Sequence, residues 1–255
     1  MLRAFCAFVF GMWSVAASAN ISLSPYFVEM NDAAARTGQV RFTNTSQSEK
    51  TYNIEIVNFE QKSDGSYKKI TEPIPGNPFA GPYLEWAPHQ VTLQPGQSQV
   101  VRIRRRGMAA AADGEYVSHM LIQEQAAPDE MYGTSKGGAG GLVINLKPLY
   151  GVSIPVMIER GRLTATARIG DARIAKQNGK PVAIVPVLRS GNRSFYGTVV
   201  VSQGRRELGR ISEFRIFMTT PQRLLQVPLS AAPSDDITVT LIDENTNETL
   251  ETKSL

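Results

Sequence analysis

Leu142-Val143-Ile144-Asn145-Leu146-Lys147-Pro148-Leu149-Tyr150-Gly151-Val152-Ser153-Ile154-Pro155-Val156-Met157-Ile158 is the stretch on which the fold turns. Its even positions, from Leu142 to Ile158, are apolar without a break, while Asn145, Lys147, Gly151 and Ser153 fall among the odd ones. A period of two is that of an extended strand and not of a helix. At ~3.3 Å per residue the stretch would reach about 55 Å, roughly three times a common strand, so a single small sheet leaves part of its apolar face unused. Pro148 and Pro155 cannot donate to a ladder, which predicts an edge strand. Their opposite parity predicts a bulge or kink between them, at Gly151. A long apolar edge is an aggregation hazard unless something else is meant to pair with it.

Working outward, the first nineteen residues read as a secretory signal. Arg3 supplies the charge, Ala4 to Val15 is an apolar core too short to span a membrane, and Ala17-Ser18-Ala19 is a cleavage site, with cleavage expected after Ala19. Cys6, the only cysteine, would leave with the signal, so the exported chain is expected to have no disulfide. Removing 19 of 255 residues leaves 236, enough for two domains of ordinary size. It also leaves 26 basic against 23 acidic groups. That excess, with no aromatic and basic interleaving, argues for no nucleic acid. No later run approaches the ~20 apolar residues of a span, so no membrane insertion is expected, and the location expected is outside the cytoplasm.

Before the organising stretch, Ile21 to Met30 opens extended, and Pro25 fits an edge strand that switches sheets. Gln39 to Asn44 alternates with Val40 and Phe42 inward, and Tyr52 to Phe59 follows with Tyr52, Ile54 and Ile56 on one face. Asp64-Gly65 signals a hairpin. Four prolines and two glycines from Thr71 to Pro82 mark a loop, and Leu84 to Leu93 is a strand broken at Pro88. Leu93-Gln94-Pro95-Gly96 carries proline and glycine where a type II turn wants them. Ser98 to Arg106 then turns Val101 and Ile103 one way and Arg102, Arg104 and Arg106 the other. Gly114 to Ile122 reads as a central strand, and Gln125 to Gly141 as a loop long enough to be functional or mobile. The composition changes at Glu159-Arg160-Gly161. Short strands are predicted beyond it at Leu163 to Ile169, Val182 to Leu188, Thr198 to Ser202, Arg215 to Met218, Leu224 to Leu229 and Ile237 to Ile242. The reading is all-β, with two antiparallel sandwiches spanning 20–158 and 159–255 after the signal at 1–19.

Catalytic patterns are missing. His89 and His119 lie on different predicted elements with no cysteine beside them for a zinc site. There is no His-Glu-x-x-His and no paired-carboxylate constellation that stands above chance. Gly137-Gly138-Ala139-Gly140-Gly141 lacks the Lys-Ser/Thr of a phosphate loop and leads into a strand, and Asp235, Asp236 and Glu244 read as solvated acids at strand ends. The chain is read as no enzyme, with no cofactor and no metal.

The sequence resembles the PapD-like periplasmic chaperones of the chaperone and usher pathway, which assemble bacterial pili and fimbriae. The residues carrying the resemblance are Ile21 to Pro25, Val40 to Asn44, Leu93 to Gly96 followed by Val101-Arg102, Gly114 to Tyr116, and Tyr150 to Val156. It implies two immunoglobulin-like domains meeting at an angle, the first lending its last strand to a pilus or fimbrial subunit that lacks one. The donated residues would be Leu142, Ile144 and Leu146, with Pro148 closing the set. Burying three such side chains contributes ~1.5 to 3 kcal/mol each, and the backbone bonds ~0.5 to 1.5 each, before ordering costs. The partners implied are the subunit and an outer-membrane usher. A self-capping dimer of the free protein is left open.

The positions that hold the subunit's terminal carboxylate in best-known members, an arginine and a lysine, correspond here to Phe27 and Ser153. That departure suggests a divergent branch, with Arg102, Arg104 or Lys147 as replacement anchors. Glu115 matches a position that helps lock the domains, with Arg160 and Asp236 as expected partners. Two other classes compete. A surface adhesin or structural pilus component of the same sandwiches should carry its own assembly strand before Pro25. A secreted carbohydrate-active enzyme should show two close carboxylates.

Overall fold

A computed structural model of the chain describes residues 20–31, 35–74, 78–126 and 149–255. Ten strands form the first sandwich: β1 (Ile21–Ser24), β2 (Val28–Asn31), β3 (Thr37–Asn44), β4 (Lys50–Gln61), β5 (Tyr67–Ile70), β6 (Leu84–Ala87), β7 (Gln90–Leu93), β8 (Ser98–Arg105), β9 (Gly114–Glu124) and β10 (Gly151–Arg160). One sheet has the order β1-β3-β8-β6; the other runs β2-β10-β9-β4-β5, with β7 also on β4. The chain crosses between the sheets at Pro25, separating β1 from β2, and at Pro88, separating β6 from β7. Both crossings carry a cis peptide. A proline at each place ends one ladder before the next begins.

Alternation decides what faces inward. Val40 and Phe42 of β3, Tyr52 and Ile54 of β4, Val101 and Ile103 of β8, and Ile154, Val156 and Ile158 of β10 all enter one core, where the Phe42 and Tyr52 rings meet edge to face at 5.4 Å. Asn44 is fully buried and satisfied. Its side-chain amide donates to the carbonyls of Ser48 and Leu93, both at 2.9 Å, and its own carbonyl accepts the Gly96 N–H at 2.7 Å. This ties the end of β3 to the Pro95-Gly96 turn, where Gly96 has φ +76° and the Gln97 N–H donates to Gln94 C=O at 3.0 Å, as expected of the turn.

The second sandwich comprises β11 (Ala165–Ile169), β12 (Arg173–Gln177), β13 (Lys180–Gly191), β14 (Phe195–Gln203), β15 (Arg206–Ile216), β16 (Gln222–Pro228), β17 (Ile237–Asp243) and β18 (Glu248–Ser254). In one sheet β13 pairs β16 along one side and β11 and β12 along the other; the second sheet runs β15-β14-β17-β18. Val185, Val187, Phe195, Val199, Val201 and Val239 fill a core of its own. The described residues are thus all-β, in two sandwiches that share no strand.

Two expectations need correction. The organising strand is not an edge throughout, because β2 pairs β10 in parallel from Val156 to Glu159. Only Gly151 to Pro155 has β9 alone as a neighbour among the described residues. The bulge expected at Gly151 is absent: the β9–β10 register is continuous from Gly151 to Arg160, while Pro148 lies outside the described residues. The parity of the ladder gives the reason. Glu124 N–H donates to Tyr150 C=O at 2.9 Å, so even residues of β10 bond β9 and Pro155 turns its missing donor away from that ladder. Finally, β12, β18 and most of β15 are strands without a sequence-based expectation.

Candidate functional site

The half-paired strand defines the first feature. By the same parity, the amides of Gly151 and Ser153 point away from β9 toward the side that no described strand occupies, while Val152 and Ile154 lean into the core. A groove of 570 Å³ runs along this side between the β1 and β10 edges, lined by Ile21, Leu23, Tyr26, Thr45, Val152 and Ile154. Leu149, Tyr150 and Tyr26 at its margin are exposed, Tyr26 by 77%. The arrangement offers backbone donors and acceptors beside an apolar trough, which is what strand addition uses.

The second feature lies where the sandwiches meet. A cleft of 390 Å³ is lined by Phe27, Tyr67, Pro155, Tyr196, Arg215 and Arg223, among others. The Arg215 guanidinium stacks between two rings, 4.3 Å from the centre of Phe27 and 4.6 Å from that of Tyr196. Arg223 Nη1 donates to Arg215 C=O at 2.7 Å. Burial lowers the Arg215 pKa, opposed by the fields of Glu29 and Glu115. Arg215 makes no ion pair among the described residues, and its Nη1 lies 3.7 Å from Met157 Sδ.

Around the cleft the two sandwiches are bonded together. Buried Glu115 accepts from Ser194 N–H at 2.8 Å and from Ser194 Oγ. Desolvation raises its pKa and those bonds oppose the rise. Arg193 Nε stands 2.7 Å from Glu159 and Nη2 3.5 Å from Glu29. Burial, then the Glu29 charge, push Glu159 up to about 7. Gln61 donates to Arg215 C=O (3.2 Å) and accepts from Phe217 N–H (3.1 Å), and its carbonyl accepts from Thr220 Oγ1 (2.9 Å). Val117, Met157 and Phe217 form a small apolar cluster there, with Phe27 against it.

The predicted site residues scatter. Leu142, Ile144, Leu146, Lys147 and Pro148 lie outside the described residues. Arg102 and Arg104 line a separate hollow of 780 Å³ on the outer face of the first sheet, with β3 between them and the β1 edge, and Arg104 Nε donates to Glu85 at 3.0 Å. The expected triad of Glu115, Arg160 and Asp236 is not assembled. Arg160 pairs Asp113 at 3.4 Å and donates to the carbonyls of Met108 and Ala109, and Asp236 sits at a turn with φ +63°, its carbonyl taking the Gly204 N–H. Glu115 does join the interface, through Ser194. Phe27 lies in the cleft and Ser153 on the unpaired edge. Arg215, Arg193, Ser194 and Gln61 were not anticipated. Their only sequence signal is a polar residue at the end of an alternating run, shared by many positions. Among the described residues no group of three or more His, Cys, Asp or Glu could hold a metal.

Two immunoglobulin-like sandwiches, one with a half-paired edge strand, are therefore the class of protein that fold and site define. No protein-family profile matches the sequence, and no curated protein matches it. Among solved structures, the chain is similar to the YadV chaperone at 10% identity, covering 92% of this chain and 100% of that one, TM-score 0.47. It is similar to the Pseudomonas aeruginosa CupB2 chaperone at 13%, covering 92% and 100%, TM-score 0.44. A Salmonella enterica SafA pilin in complex with the SafB chaperone matches at 12%, covering 94% and 98%, TM-score 0.44.

Proposed function

We propose that this protein is a periplasmic chaperone for pilus or fimbrial subunits, lending an unfinished subunit the edge of β10 together with Leu142, Ile144, Leu146 and Pro148, and handing it to an outer-membrane usher. One observation carries the reading. Among the described residues, β10 from Gly151 to Pro155 has β9 on one side and an apolar groove on the other, with backbone groups of Gly151 and Ser153 directed to the groove side. Such an edge supplies register through backbone bonds and selectivity through alternate side chains. The cleft adds a cation beside Phe27, where the family resemblance places the carboxylate anchor. We assign that duty to Arg215, held by two rings and free of any described ion pair. A guanidinium so desolvated gains from a carboxylate partner.

The test is co-purification of subunits from periplasmic extract of cells expressing the neighbouring genes. Wild type should retain a small subunit, Ile144→Asp should retain none while staying folded, and Arg215→Ala should lower retention about tenfold or more. Equal capture by wild type and Ile144→Asp would overturn strand donation. Undiminished capture by Arg215→Ala would overturn the anchor alone.

A further inference from the structure

The register of the first sheet fixes the neighbours of each side chain on its outer face. Arg102 of β8 stands opposite Gln39 of β3 and Ala87 of β6, and Arg104 stands opposite Thr37 and Glu85. Arg41 of β3 stands between Ser24 of β1 and Val100 of β8. Glu85 is the only acid in the four strands, and it is already engaged: Arg104 Nε donates to it at 3.0 Å and Arg106 Nη1 lies 3.0 Å from it. Arg41 and Arg102 are exposed, and neither makes a side-chain hydrogen bond, ion pair or ring contact among the described residues. As diagonal neighbours on adjacent strands they stand about 7 to 8 Å apart.

Beside them the surface is concave. Thr37 and Ala87 are short next to Arg102 and Arg104, and the hollow they line measures 780 Å³. Its far margin, β6, is an edge. Arg106 N–H donates to Tyr83 C=O at 2.9 Å, so Glu85 and Ala87 bond β8 while the N–H and C=O of Trp86 point away from the sheet, open to another backbone. The Trp86 ring turns inward, its Nε1 donating to Ile54 C=O at 3.0 Å, which leaves this face of the four strands without an aromatic side chain on which a base could stack. Two free cations next to a fixed carboxylate also suit a phosphate backbone poorly. They suit a chain that carries carboxylates. In an extended peptide, side chains two residues apart share a face at about 6.5 Å, close to the separation of Arg41 and Arg102, and each guanidinium fork takes a carboxylate through two bonds.

We infer that the outer face of β3, β8 and β6 docks an extended acidic segment of a partner protein, with carboxylates two residues apart on Arg41 and Arg102. The inference does not rest on strand donation, since this hollow and the groove beside β1 share no lining residue. Fluorescence anisotropy of the purified full-length protein at low ionic strength is read with two labelled, capped probes of one composition: Ser-Glu-Val-Glu-Ser, whose carboxylates share a face, and Ser-Glu-Glu-Val-Ser, whose carboxylates oppose. The first should bind about fivefold or more tighter than the second. Arg41→Ala and Arg102→Ala should each weaken it about fivefold or more, and Arg168→Ala, exposed on β11 of the other sandwich, should stay within about twofold. Added salt should weaken the complex, as for any exposed ion pair. All three substituted side chains are exposed, so the variants are expected to fold, which circular dichroism checks. Equal binding of the two probes, no binding of either, or binding that Arg41→Ala and Arg102→Ala leave unchanged overturns the inference. Flotation with phosphatidylglycerol vesicles that depends on the same two arginines, without peptide binding, assigns the face to a membrane and overturns it as well.

Discussion

His119 shows how one residue registers the contact between sandwiches. It sits on central β9, 3% exposed, ringed by Phe59 at 5.1 Å, Phe217 at 5.7 Å and Tyr67 at 5.8 Å, all edge to face. Neither ring nitrogen has a hydrogen-bond partner among the described residues, and burial pushes its pKa down to about 4. The unfolded chain takes up this proton near pH 6.5 and the folded chain only near 4, so the unfolded state binds more protons between. Stability from neutral His119 is therefore full above about 6.5 and lost as pH falls toward 4. Glu159 has the opposite slope: its raised pKa stabilises the fold at low pH, and that contribution is lost as pH rises through about 7. Comparing wild type with His119→Phe cancels the Glu159 contribution. Urea midpoints should show the variant gaining about 2 to 3 kcal/mol on wild type between about pH 7.5 and 4.5. Parallel pH profiles would show that His119 does not titrate in this window.

Strands were legible where alternation met a single buried face. Val40 and Phe42, Val101 and Ile103, and Ile154, Val156 and Ile158 all enter the core that their spacing assigns. Legibility failed where an element's neighbours decide its surroundings. The stretch Val156 to Ile158 reads as one face of an edge, yet β2 pairs it and Met157, on the opposite face, is buried against Phe217. Strands β12 and β18, at sheet margins, carry mostly exposed residues and so lack the apolar rhythm that marks a strand. Contact between the two sheets was equally hidden. Gly38 in β3 faces Val28 in β2 so closely that an added Cβ would lie 2.4 Å from Val28 Cγ1. A β-branched side chain has little freedom to turn aside. Gly38→Ala is expected to cost about 1 to 3 kcal/mol of unfolding free energy, and Val28→Ala in the same chain to recover part of it. Additive losses in the double mutant would show that the crowding is not between these two.

At the scale of the whole molecule, two cores that share no strand are joined through a thin polar seam and three buried apolar side chains. Of the seam, the resemblance pointed to Glu115 alone and not to its partner Ser194, while Gln61 and Arg215 are far apart in sequence and each reads alone as a solvated polar residue. Position in the fold makes them consequential. Gln61 is 3% exposed and satisfies Phe217 N–H and Arg215 C=O at once. Truncating it leaves both backbone groups without that partner, at about 1 to 3 kcal/mol for each that stays buried. Truncating Phe217 removes the apolar contact with Val117 and Met157 and one wall of the box around His119. Either loss falls on the seam, since each sandwich keeps its own core. Scanning calorimetry of wild type should therefore show one transition, and Gln61→Ala/Phe217→Ala should resolve into two, the second sandwich keeping its own melting temperature. A single transition displaced downward in the double mutant would mean instead that the sandwiches depend on one another for folding. The split matters for strand donation, because Arg215 reaches Phe27 only while the seam holds the second sandwich against the first. The separated protein should then lose subunit retention even with the β10 edge intact.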